Sequence, residues 1–318
     1  MLVFECTGSG CCAAHALGSA ASAMASSPFL RIAPTLHLRR CCRRFWSEEP
    51  KEEGATNGWT RRRSTIAAQR SPDVVEMEYA DLNLKNFYGA APNLGHIRIR
   101  QHVNPLSSSF ATPAEIPVWK EVFRDPSLPL MLDIGSGSGR FLLWLAKNCP
   151  ERRNYLGLEI RQKLVERSQF WAEELGLANI HFMFANATVS FEPLVSTYPG
   201  PLMLVSILCP DPYFKKRHHK RRVVQASLVD SIAKRLSIRG QVFVQSDVLE
   251  LAFDMRNQFD ARSDVFEHVD TIDDNVLCDT QGWVLHNPMG MRTEREIHAE
   301  LEGARIYRRM YQKQKHYV

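Results

Sequence analysis

From about residue 115 onward, short apolar runs alternate with segments whose apolar residues recur at helical spacing, which is the pattern of a parallel α/β sheet. Leu128 to Ile134 is an apolar run that stops at glycines, and it predicts a buried strand. Phe141 to Lys147 follows with helical spacing, and Tyr155 to Leu158 predicts a second strand. Arg161 to Leu175 predicts a helix that Gly176 stops. Ile180–Phe184, Leu202–Leu208 and Gln241–Gln245 predict strands three to five. Val223 to Leu236 predicts a helix with Val224, Leu228, Ile232 and Leu236 on one face. By pattern alone, Ile306 to Tyr311 fits either a strand or a helix.

Upstream the periodicity is lost. Residues 1–45 are rich in Ala, Ser and Arg and nearly free of acids, the composition of an organellar transit peptide, with a disordered cytosolic tail as the bland alternative. The chloroplast is the expected destination and the mitochondrion the alternative. Residues 46–90 read as a polar linker, leaving 91–318 as the folded domain. No apolar stretch approaches the ~20 residues of a membrane-spanning helix. Five of the eight cysteines lie in the N-terminal segment, and the others lack metal-ligand spacing, so neither a disulfide framework nor a zinc site is expected.

The formal net charge of +5 changes meaning once it is placed along the chain. Residues 1–47 hold one acid, Glu5, and five arginines. Further on, Lys215, Lys216, Arg217, Lys220, Arg221 and Arg222 put six positive charges into eight residues, and everything else sums to about −5. One concentrated basic spot points to a specific polyanion site rather than a diffuse coating of charge.

Candidate chemistry gathers at strand ends. Asp133-Ile-Gly135-Ser-Gly137-Ser-Gly139 sits where strand should turn into helix. A dinucleotide fingerprint requires glycine where Arg140 stands. Gly-x-Gly-x-Gly after an acid fits S-adenosylmethionine instead, with Asp133 suited to its ammonium group and helix-start N–H groups to its carboxylate. Glu159 ends strand two, where a carboxylate can accept both ribose hydroxyls, and Asn186-Ala187 follow strand three beside the expected adenine edge.

After strand four comes Cys209-Pro210-Asp211-Pro212-Tyr213-Phe214, a loop stiffened by two prolines, and then the basic run Lys215 to Arg222. Taken singly, the run reads as a nuclear address or a solvated helix start, and the loop as a simple turn. Fused together after strand four, they read as a rigid carboxylate beside a phosphate-binding patch, with aromatic faces for stacking.

The Pro-Asp-Pro-aromatic loop with Lys-Lys-Arg-His-His-Lys-Arg-Arg resembles the tRNA (guanine-N7)-methyltransferases. Three further segments agree: Arg98-x-Arg100-x-His102-x-Asn104-Pro105, Ser246-Asp247, and Thr293-Glu-Arg295-Glu296. The likeness covers about residues 95–313. It implies a Rossmann-like class I methyltransferase with a mainly parallel seven-stranded sheet and helices on both faces. Ile306 to Tyr311 then becomes a closing strand.

The resemblance also implies N7-methylation of a variable-loop guanosine, position 46, in tRNA, with S-adenosylmethionine as the methyl donor. Asp133, Gly135, Gly137, Glu159, Ile160, Asn186, Ala187, Leu208 and Asp211 would line the cofactor site. Asp211 would be the active-site acid, and Lys215, Arg217, Asp247, Thr293, Arg295 and Glu296 would hold tRNA. Another RNA methyltransferase, or a non-catalytic RNA-binding protein on the same fold, is the alternative. Monomer, homodimer or a separate partner subunit all stay open.

Overall fold

The computed structural model describes residues 71–87, 103–149, 151–271 and 276–314. The expected transit peptide, the first part of the expected linker and the Arg98-x-Arg100-x-His102 triplet lie outside them.

Seven strands form one sheet: β1 Leu130–Ile134, β2 Asn154–Glu159, β3 Ile180–Phe184, β4 Leu202–Leu208, β5 Leu236–Ser246, β6 Phe266–His268 and β7 Tyr307–Lys313. Their order is β3-β2-β1-β4-β5-β7-β6. β1 to β5 pair in parallel, and β7 runs antiparallel between β5 and β6. The chain reverses between β1 and β4, so the carboxyl ends of β1, β2 and β4 open a crevice at that switch point.

Eight α-helices surround the sheet among the described residues: α1 Ser71–Glu78, α2 Trp119–Val122, α3 Arg140–Asn148, α4 Gln162–Glu174, α5 Ala187–Thr197, α6 Ala226–Arg235, α7 Leu249–Asp260 and α8 Glu294–Leu301. The strand side chains alternate between two cores, as a period of two requires. Leu130, Leu132, Ile134, Val242 and Val244 pack with α5, α6 and α7, while Met131 and Phe243 pack with α1, α3, α4 and α8.

The expected strands are present, and Ile306–Tyr311 falls largely within β7. The helix expected to run to Leu236 ends at Arg235 instead, and Leu236 opens β5. There Arg239 adopts φ +64 and the pairing with β4 slips between Leu202 and Leu204, an irregularity that hides the strand start from a periodicity argument.

The linker expected to reach residue 90 is also corrected. Residues 71–87 belong to the folded unit, with Val75, Tyr79, Leu82 and Leu84 buried in the second core. Their spacing lays an apolar face on a segment otherwise dominated by polar residues.

Candidate active site

The crevice is a cleft of about 270 Å³, lined by the β1–α3 turn, the ends of β2 and β4, the start of α5 and the Thr293–Arg295 segment. Asp133, Gly135, Gly137, Glu159, Ile160, Asn186, Ala187, Leu208, Asp211, Thr293 and Arg295 all line it. Lys215, Arg217, Asp247 and Glu296 do not.

The glycine turn divides its labour. Gly135 and Gly137 take left-handed φ of +83 and +58, and a Cβ added at Gly135 would meet nothing within 4 Å. Gly139 is needed for packing: its Cβ would lie 2.5 Å from Ser168 Oγ and 2.9 Å from Phe182. The first two glycines thus leave room over the cleft, and the third lets α3 sit against α4 and the sheet.

Glu159 is buried with both oxygens engaged. Oε2 accepts from the Gly137 N–H at 3.0 Å, and Oε1 accepts from the Arg161 N–H at 2.9 Å and from its guanidinium at 3.2 Å. The same Arg161 reaches Asp211 Oδ2 at 2.9 Å. Arg161, absent from the sequence-based set, therefore joins the acid at the end of β2 to the acid of the Pro-Asp-Pro loop. Its position straight after Glu159-Ile160 was the available signal.

Asp133 lies deeper, accepting a hydrogen bond from Ser206 Oγ at 2.6 Å. Burial pushes its carboxyl up to about 7, Ser206 opposes that, and nearby Glu159 adds to it. Asn186 is differently employed than expected. Its Oδ1 caps α5 by accepting from the Thr188 N–H, and its Nδ2 donates to the Pro105 and Phe110 carbonyls. The side chain holds the 105–110 segment against the cleft, so a ligand meets the wall it builds and not a spare amide.

The Asp211 loop is held from several sides. Cys209 and Tyr213 take φ of +49 and +46, strained for residues with a side chain. The Cys209 N–H donates to the Gln245 carbonyl at 2.7 Å, and Tyr213 Oη donates to the Val103 carbonyl at 2.6 Å. Arg222, 3 % exposed, donates to the Pro212 carbonyl and pairs with Glu250 and Asp254. The last cation of the basic run is therefore a clamp on the loop, not a free phosphate ligand. Its neighbours Val223 and Val224, which carry the chain into the core, hinted at this. Lys215, which caps a short 3-10 turn, Lys216–Arg221, and Lys216, Arg217 and Lys220 on that turn stay exposed beside the exposed Phe214.

Glu296 overturns its expected role. It is fully buried, accepts from Arg308 at 2.5 Å, Gln245 at 3.1 Å and Asn287 at 3.0 Å, and closes a capping box with Thr293. No tRNA group can reach it; it holds Thr293 in place. Asp247 pairs with Arg295 at 2.6 Å, which sets that guanidinium at the cleft edge.

Three carboxylates on neighbouring strand ends suit a cationic ligand that carries a ribose. Ser136 Oγ, buried at the cleft without a hydrogen-bond partner, has its polar atom still to be satisfied, which fits a cleft built around a ligand. Together with the strand order, this layout defines a class I S-adenosylmethionine-dependent methyltransferase. The family described as "Putative methyltransferase" matches residues 127–309. A tRNA (guanine-N(7)-)-methyltransferase of Synechococcus sp. (strain JA-2-3B'a(2-13)) is 48% identical over 215 residues, 68% of this chain and 84% of the relative. Proteins of the same name from Trichormus variabilis and Synechococcus elongatus are 42% and 43% identical over 221 and 222 residues, covering 98% and 99% of those relatives and 69% and 70% of this chain. The chain belongs to the tRNA (guanine-N7)-methyltransferase family.

Proposed function

We propose that the protein methylates N7 of a variable-loop guanosine, position 46, in tRNA. The observation that carries this reading is the Asp211 loop: a carboxylate fixed by two prolines, Arg161 and Arg222 at the rim of the cofactor cleft, continuous with an exposed basic turn. When bound, S-adenosylmethionine supplies an electrophilic methyl group on a cationic sulfur. Asp133, Glu159 and the Gly135–Gly137 turn would hold it, with Ile160, Ala187 and Leu208 as apolar walls.

Guanine N7 bears a lone pair and no proton, so no side chain has to act as a base. Asp211 instead accepts from the guanine N–H edge and stabilises the positive charge that develops on the purine. Arg161 keeps the Asp211 carboxylate turned toward the cleft in the meantime. Lys215, Lys216, Arg217 and Lys220 bind phosphates, and Phe214 offers a face for a base turned out of the stack. Transfer of labelled methyl to tRNA lacking N7-methylguanosine, mapped by N7-specific cleavage, tests the reading.

Residues 1–45 would deliver the enzyme to the chloroplast. Their composition, rich in Ala, Ser and Arg and nearly free of acids, supports this. A fluorescent fusion of residues 1–50 checks it, and mitochondrial fluorescence would reassign the compartment.

A further inference from the structure

Helix α1 lies outside the matched residues 127–309, and in sequence it reads as linker. In the structure it is fastened to the cleft wall. Glu76 accepts from Arg140 at 3.2 Å, and the same Arg140 pairs with Glu294 of α8 while its guanidinium lies 5.0 Å over the Trp171 ring of α4. Glu78 accepts from Arg292 at 2.6 Å, and Arg292 also binds Glu300 at 2.9 Å. Just beyond α1, Tyr79 is 3 % exposed and lines the cleft, its hydroxyl donating to the Arg292 carbonyl. Arg292 immediately precedes Thr293, the capping residue of the Thr293–Arg295 wall.

We infer that α1 and Tyr79 are part of the cofactor site: Tyr79 forms the wall of the cleft at its Thr293 end, and the Glu76 and Glu78 ion pairs hold that wall closed. The sites first assigned to the ligand come from β1, β2, the start of α5 and the β4 loop, which leaves the Thr293 side to be closed from elsewhere. A buried tyrosine whose hydroxyl bonds to the backbone of that segment closes it, and two bridges spanning α1, α3 and α8 resist its opening. Surface ion pairs are individually weak. These are half-buried and share the arginines, so their effect falls on the position of Thr293 more than on overall stability.

The inference rests on the cleft being the S-adenosylmethionine site. It is tested with the full chain, by calorimetric titration of S-adenosylhomocysteine together with thermal melting, in wild type, Glu76→Gln/Glu78→Gln, Tyr79→Phe, Tyr79→Ala and the exposed-face control Met77→Ala. The double Gln variant and Tyr79→Ala should each bind about tenfold more weakly, roughly 1.4 kcal/mol. Tyr79→Phe should lose about threefold, and Met77→Ala should match wild type. Should Tyr79→Ala fail to fold, the double Gln and Phe variants still decide the matter. Folded variants that bind like wild type overturn the inference, even with lowered melting temperatures, because α1 is then a structural brace alone. A wild type that does not bind S-adenosylhomocysteine would instead overturn the cofactor reading.

Discussion

Glu296→Ala separates a substrate-binding acid from a structural one. The carboxylate is fully buried and accepts from Arg308, Gln245, Asn287 and the Thr293 N–H. Removing it strands the Arg308 guanidinium, 7 % exposed, with Gln245 Oε1 at 3.2 Å and Glu300 at 3.7 Å as remaining partners. Breaking a buried pair by deleting one partner costs about 3–5 kcal/mol. Glu300 offsets part of the loss, so the expected cost is about 3 kcal/mol, a large share of the roughly 5–15 kcal/mol that stabilises a domain. The melting temperature should fall by about 6–12 °C. The assay pairs urea unfolding with tRNA binding at a temperature where the variant is folded, expecting a lowered midpoint and tRNA affinity within about twofold of wild type. An unchanged midpoint with tRNA binding abolished would refute the structural role.

Two further perturbations follow from the site. Asp133 has its folded pKa pushed above its unfolded one, to about 7, chiefly by burial. Its contribution to stability is therefore complete below the ordinary carboxylate range and is lost as pH rises towards 7. Asp133→Asn should gain about 2–3 kcal/mol relative to wild type between pH 5 and pH 8, read from urea midpoints, and a pH-independent difference would contradict the burial argument. The exposed cations should make tRNA affinity fall steeply with salt, and Lys215→Ala/Arg217→Ala should flatten the log–log slope by about 2; an unchanged slope would remove these residues from the phosphate grip.

Most of the fold was legible because buried parallel strands write continuous apolar runs, as in Leu202–Leu208, and because glycines mark the turn that must approach a ligand. The cleft residues on strand ends were legible for the same reason: strand position fixes which edge they share. What stayed hidden depends on partners distant in sequence. Glu296 looks like an available acid until Arg308, on β7, is packed against it. Arg222 looks like one more cation of a polyanion patch until Glu250 and Asp254 of α7 enclose it. Asn186 is consumed by carbonyls some 80 residues upstream. Residues 71–87 carry an apolar face at helical spacing, yet charged neighbours masked it, and only the second core shows where that face goes.

In the function proposed above, the Asp211 loop places a charge-stabilising carboxylate at the mouth of the S-adenosylmethionine cleft for tRNA guanosine N7. The most direct measurement is single-turnover transfer of labelled methyl to unmodified tRNA by wild type and Asp211→Asn, mapped by N7-specific cleavage. Wild type should label one variable-loop guanosine. The Asn variant should lose about 100-fold or more in rate while binding S-adenosylhomocysteine as tightly as wild type. Label elsewhere in the tRNA, or near-normal turnover by Asp211→Asn, would contradict the account.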